Sequence, residues 1–211
     1  ENTPGAIINW QSFGIAANEI TQFIQQGSSS AVLNRVVGTD PSALMGTLTS
    51  NCQVYLINPN GIVVGHNALI DTAGFVASTL DMTDEDFKRG HLHFEDNGQG
   101  ANITNKGFIK GGSGGNILLV APSITNEGSI STDGGNLILA AGHSVTITSL
   151  DDAALQCEIQ APDNALINLG EMVVGQGAAS IFAGTIQHAG TISANSLSVD
   201  AQGRIQLVAA D

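Results

Sequence analysis

Charge is scarce in this chain, and basic charge scarcer still. Charged side chains make up 12% of its 211 residues, against about 25% in a typical soluble domain. Six Lys and Arg stand against 19 Asp and Glu, a formal net charge of −13. Such a chain repels phosphate, which excludes nucleic acid as a partner and a polybasic membrane anchor. Aromatics are few as well: seven Phe, one Trp and one Tyr. Two cysteines, Cys52 and Cys157, exclude a disulfide framework and leave one bridge or two free thiols. No apolar run reaches the roughly 18 residues of a spanning helix, so membrane insertion is not expected. The opening Glu1-Asn2-Thr3-Pro4 lacks a basic start and an apolar stretch. It is expected to be either the start of a mature secreted protein or a point where earlier residues have been removed.

What the chain does have is 42% hydrophobic residues and 26 glycines. That profile suits a single domain over 1–211, built of many small turns rather than a helix bundle. Internal repeats fix the architecture. Ile103-Thr104-Asn105-Lys106-Gly107-Phe108-Ile109 is echoed by Ile124-Thr125-Asn126-Glu127-Gly128-Ser129-Ile130, at an offset of 21. Gly115-Asn116-Ile117-Leu118-Leu119-Val120-Ala121 is echoed by Gly135-Asn136-Leu137-Ile138-Leu139-Ala140-Ala141, at an offset of 20. Gly170 and Gly190 are again 20 apart. Strands so closely spaced leave no room for crossover helices.

The expected fold is all-β: a right-handed parallel β-helix with coils of about 20 residues. Strands stack at about 4.8 Å, and alternate side chains fill a continuous core. Asn105, Asn126 and Asn168 are then expected to line up at one turn and bond along a ladder. The N-terminal runs Ala6–Trp10 and Glu19–Ile24 are expected to form a cap at the open end. Two excursions from the helix are expected. Near 81–100, Thr83 and Gly90 bracket a short helix with acids in its first turn and bases in its last. The alternating His91–Glu95 strand follows it. Near 149–164, the alternation at Leu155–Ile159 suggests a hairpin arm. From Gly128 to Gly170 are 42 residues, which reads as two periods with Val145–Thr148 supplying one strand.

Asn58-Pro59-Asn60-Gly61 is the sharpest local motif. Its residues suit the four positions of a type I turn, and by itself it is a tight corner without nucleophile or base. No catalytic constellation emerges. Asp84, Glu85 and Asp86 read as a solvated helix start. His91 and His93 lack a third ligand, so no metal is expected, and no cofactor is implied. Gly111–Gly115 reads as a flexible corner rather than a phosphate loop. About four coils, near 19 Å, separate the two cysteines, beyond the roughly 7 Å that a bridge spans. Free thiols are the first reading. A Cys52–Cys157 bridge through a hairpin arm folded back along the stack is the second.

Four blocks together resemble the two-partner-secretion domain, also called the filamentous haemagglutinin N-terminal domain. They are Ile8-Asn9-Trp10-Gln11-Ser12-Phe13-Gly14-Ile15, Ser30–Gly38, Gln53–Ile62 with Asn58-Pro59-Asn60-Gly61, and Gly74–Leu80. Ala161–Gly170 resembles the Haemophilus high-molecular-weight adhesin branch. The resemblance implies a β-helix at the N-terminus of a large exoprotein and not an enzyme. It implies export through the periplasm, recognition by an outer-membrane β-barrel transporter with POTRA domains while the chain is extended, and folding outside on a β-helix template. Asn34, Asn58, Pro59, Asn60 and Gly61 are the residues it links to secretion. It further implies a monomer, extracellular or at the cell surface, in an exoprotein that is usually an adhesin contacting a host surface or glycan and sometimes a haemolysin, a haem-acquisition protein or a contact-dependent inhibitor. The alternative is that this segment itself binds a host glycan or receptor. The chain departs from the family in two ways: only nine residues precede Trp10, so an incomplete cap is expected, and the second hallmark, Asn-Pro-Asn-Leu, is absent.

Overall fold

Short β-branched runs, cut by Gly and Asn, stack rung on rung along one axis. The computed structural model describes residues 5–98, 100–149, 156–160, 165–175, 177–193, 196–199 and 205–208. The first coil carries β1 (Gly5–Trp10) and β2 (Ile20–Phe23). The next two carry β3 (Ala31–Val36), β4 (Ser42–Leu44), β5 (Thr47–Ile57), β6 (Ile62–Val64) and β7 (Leu69–Ser78). A helix, α1 (Asp84–Arg89), and β8 (Leu92–Glu95) then leave the stack. The stack resumes with β9 (Ile103–Asn105), β10 (Phe108–Ser113), β11 (Ile117–Ala121), β12 (Ser123–Asn126), β13 (Ser129–Asp133) and β14 (Leu137–Ala141). A second departure holds β15 (Ser144–Ser149) and β16 (Gln156–Gln160). The last strands are β17 (Ala165–Asn168), β18 (Glu171–Val174), β19 (Ala178–Phe182), β20 (Thr185–His188), β21 (Thr191–Ser193), β22 (Ser196–Val199) and β23 (Ile205–Val208).

The pairing is parallel from rung to rung and makes three faces. One runs β2, β5, β7, β10, β13, β18, β21, using the first halves of the long strands β5 and β7. A second runs β1, β3, β5, β7, β11, β14, β19, using their second halves. The third runs β4, β6, β9, β12, β17, β20. This is a parallel β-helix. β1 and β2, at the end expected to be capped, stack in parallel on β3 and β5 as the first rung among the described residues.

Inward positions repeat in register, as at Ile62, Ile103, Ile124 and Leu166, all buried. Each fully buried aliphatic side chain of this kind contributes about 1.5–3 kcal/mol. Trp10, Phe13 and Phe23 pack together at the N-terminal end, with ring centroids 5.5 and 6.4 Å apart. The corner glycines are dictated by close approach. A Cβ on Gly128 would lie 2.2 Å from the Gly107 carbonyl oxygen of the preceding coil.

The asparagine ladder forms as expected. Asn105 donates to Asn126 and Asn126 to Asn168, both at 2.8 Å, with all three side chains buried. It continues one rung further than the sequence suggested, to His188 Nδ1 at 3.0 Å from Asn168. The short helix also forms as expected. The Thr83 side chain accepts from the Asp86 amide, and Gly90 closes the helix at φ 71°.

The two-period reading of 128–170 is corrected. β13 pairs directly with β18, and β12 with β17, so this is one coil bearing an insertion. Val145–Thr148 lie in β15, which pairs antiparallel with β8 and β16 in a separate three-stranded sheet. Val145 and Ile147 imitate a coil strand because they cover an apolar surface, the outer side of the second face.

Candidate functional site

The two motifs sit on neighbouring rungs near the corner where the second face turns into the third. β3 places Asn34 at an inward position. Its register partners on either side are Ile8 and Leu56, so a carboxamide interrupts an apolar column. Asn34 is fully buried. It accepts from the Trp10 indole N–H at 3.0 Å and donates to the Tyr55 carbonyl at 3.2 Å. A buried amide without those partners would cost about 1–3 kcal/mol.

The second motif follows β5. The Gly61 amide donates to the Asn58 carbonyl at 3.1 Å, closing the four-residue turn read from the sequence. Gly61 has φ 118°, a backbone conformation that disfavours any side chain. Asn58 is fully buried, and its side chain holds the corner together. It donates to the Asp40 carbonyl at 3.0 Å and to Ser42 Oγ at 2.9 Å. Its Oδ1 accepts from the backbone and the side chain of Asn60, each at 3.0 Å. Asn60 Nδ2 also donates to the Gly38 carbonyl at 2.9 Å. The Asn58 amide bonds to Ser78 on the other side, so three coils are tied at this turn. Pro59 and Asn60 stay partly exposed.

Asn34 thus ties β3 to β5 through Tyr55, and the turn after β5 is tied to residues 38–42, which join β3 to β4. A pocket of about 200 Å³ lies beside them, lined by Arg35, Val37, Gly38, Pro59, Asn60 and Asp81 among others. Its one cation is paired from within. Arg35 pairs with Asp84 and Asp81 and donates to the Met82 carbonyl. Sequence reasoning missed Arg35, Trp10, Asp40 and Ser42 as partners. The signals were a lone indole N–H needing an acceptor and one of only six cations placed next to Asn34.

Other candidates resolve differently. Cys52 is a buried free thiol. Cys52 lies in β5 of the stack, whereas Cys157 is opposite Ile147 in the outer sheet. Burial pushes the Cys52 thiol pKa up, against a smaller opposing effect of the Ser50 hydroxyl. His91 and His93 do not converge: His91 lies 3.6 Å from Asp86, and His93 bonds to Thr146 at 2.8 Å. Among the described residues no group of three His, Cys, Asp or Glu is placed to hold a metal.

The profile of the TPS secretion domain matches residues 2–210. The chain belongs to the TPS (two-partner-secretion) secretion domain family. Among solved structures, the HMW1 secretion domain from Haemophilus influenzae is similar at 43% identity and a TM-score of 0.85. That match covers 91% of this chain and 52% of the other. A heme/hemopexin-binding protein of Haemophilus influenzae is 30% identical over 98% of this chain, and this chain spans 21% of it. A second protein of that name and species is 40% identical over 36% of this chain and 8% of its own length. This TPS domain is thus about half the length of the solved relative and about a fifth of the first curated one. Domains of this family belong to exoproteins secreted across the outer membrane. No helix among the described residues is long and apolar enough to cross a membrane.

Proposed function

We propose that this TPS domain directs export of its exoprotein through a cognate outer-membrane transporter, and that the transporter's POTRA domains meet the chain while it is extended. Folding at the cell surface then follows, each new coil burying apolar area on the last. The observation that carries this reading is the burial of the motif. Asn34 and Asn58 are fully buried and bonded internally. A transporter that reads them meets them before folding. The same residues afterwards specify the early corner on which the β-helix grows.

In this reading the domain is not an enzyme. The one cation by its pocket, Arg35, is committed to Asp81 and Asp84, and its polar network is committed to holding backbone. The exoprotein is proposed to be a cell-surface adhesin. The relative named for heme and hemopexin favours a second class, an acquisition protein. Either activity is placed in the longer exoprotein rather than in this domain.

The test is export of the chain from cells with and without the transporter, for the parent and for Asn58→Ala. Expected is transporter-dependent export, lost or reduced at least tenfold in the variant, while the purified variant keeps its β-sheet circular dichroism. Export independent of the transporter would overturn the reading.

A further inference from the structure

The second face of the β-helix is buried and apolar on both sides at β11 and β14. Its outward column runs Ile7, Leu33, Tyr55, Val76, Leu118, Ile138 and turns polar only at Ser180. A sheet with one face in water normally alternates apolar with polar, and unbroken apolar strands mean cover on both sides. Here the cover is the outer layer formed by the two excursions. Leu80, Met82, Phe87, Phe94, Val145 and Ile147 close over the column, and Tyr55 packs edge-to-face on Phe87 at 5.2 Å.

The order in which that layer can form follows from its topology. Apart from a local bridge between Glu95 and Asp81, β8 has one ladder partner among the described residues, β15, which lies about fifty positions later in the chain. β15 is the central strand, with β16 on its other side. Polar contacts pin it at the rim. His143 Nδ1 lies 2.7 Å from Asp96, Ser144 donates to Glu95 at 2.8 Å, and Thr146 bonds to His93 at 2.8 Å. The coils, by contrast, complete their own ladders without this segment. Ala121 pairs with Ala141 and Ser123 with Ala165, so residues 142–164 stand where Pro122 alone stands one coil earlier.

We propose that β15 and β16 are a strap that closes after the coils up to β14 have formed and locks them. Those coils form with a bare outer column, and arrival of β15 and β16 completes the outer sheet and seals it. The order of emergence rests on the secretion reading above. The lock itself is a property of the purified chain and is tested without any transporter.

The first test is pulsed hydrogen exchange during refolding of the whole 211-residue chain. Amides of β8 are expected to gain protection together with those of β15, and after those of β7 and β11. Protection of β8 before β15 would overturn the proposal. The second test replaces residues 142–164 by one proline. The variant is expected to keep its β-sheet circular dichroism, to bind a fluorescent apolar dye that the parent does not bind, and to unfold at least tenfold faster. Unchanged dye binding and unfolding rate would overturn the proposal. Should that variant fail to fold, His93→Cys with Thr146→Cys in a Cys52→Ser, Cys157→Ser background decides. These two residues face each other across the strand pair. Oxidation is expected to slow unfolding at least tenfold relative to the reduced form, and an equal rate would count against the strap.

Discussion

At the scale of residues, the asparagines that mark this domain act as backbone clamps. Asn58 satisfies the Asp40 carbonyl, the Ser42 hydroxyl and two donors of Asn60 from a fully buried position. Asn58→Ala strands those groups, and the expected loss is about 2–3 kcal/mol, readable as a lower urea midpoint with an unchanged slope. A second residue effect concerns acid. Burial of Asp96 favours its neutral form, but hydrogen bonds from His143 and from the amides of Gly98 and Gly100, with the charge of His143, outweigh it and lower its pKa below the ordinary carboxylate value of 3.8. A depressed carboxylate contributes stability that is fully present above the unfolded pKa and is lost as pH falls through the folded one. The parent should therefore lose stability below about pH 4 more steeply than Asp96→Asn, as followed by denaturation at pH 3 and pH 6. Equal slopes would contradict that assignment.

At the scale of elements, the sequence already displayed much of the coil. Repeats of 20 and 21 residues, β-branched runs and the Asn105–Asn126–Asn168 series pointed to stacked parallel strands and a ladder, because equivalent residues in a solenoid share one environment. The central rung is the most exposed to disruption. Asn126→Ala breaks both ladder bonds and leaves Asn105 and Asn168 with buried unpaired groups, an expected cost of about 2 kcal/mol or more, measurable as a fall in melting temperature. A wild-type temperature would show the ladder to be incidental. Less legible was the outer sheet. β8 and β15 pair antiparallel across some fifty positions, and no local period encodes such a contact. The unbroken apolar runs Ile117–Ala121 and Leu137–Ala141 were the clue, since both sides of those strands are buried. Of the candidate site, the turn at Asn58–Gly61 could be read from its residue types. The partners of Asn34 could not, because the rung that brings Trp10 beside it is fixed only by tertiary stacking.

At the scale of the whole molecule, family, fold and motif burial converge on one picture. The TPS domain is a β-helix that buries Asn34 and Asn58 in its interior. The net charge of −13 sets extended copies of the chain to repel one another. The most direct measurement is a binding titration of the transporter's purified periplasmic portion. It is titrated in parallel with the folded domain and with a linear peptide spanning Ala31–Ile62, which carries both motifs in exposed form. The peptide is expected to bind, its Asn58→Ala counterpart to bind at least tenfold more weakly, and the folded domain to bind no better than that counterpart. Binding of the folded domain as tight as that of the peptide would contradict recognition of the extended chain.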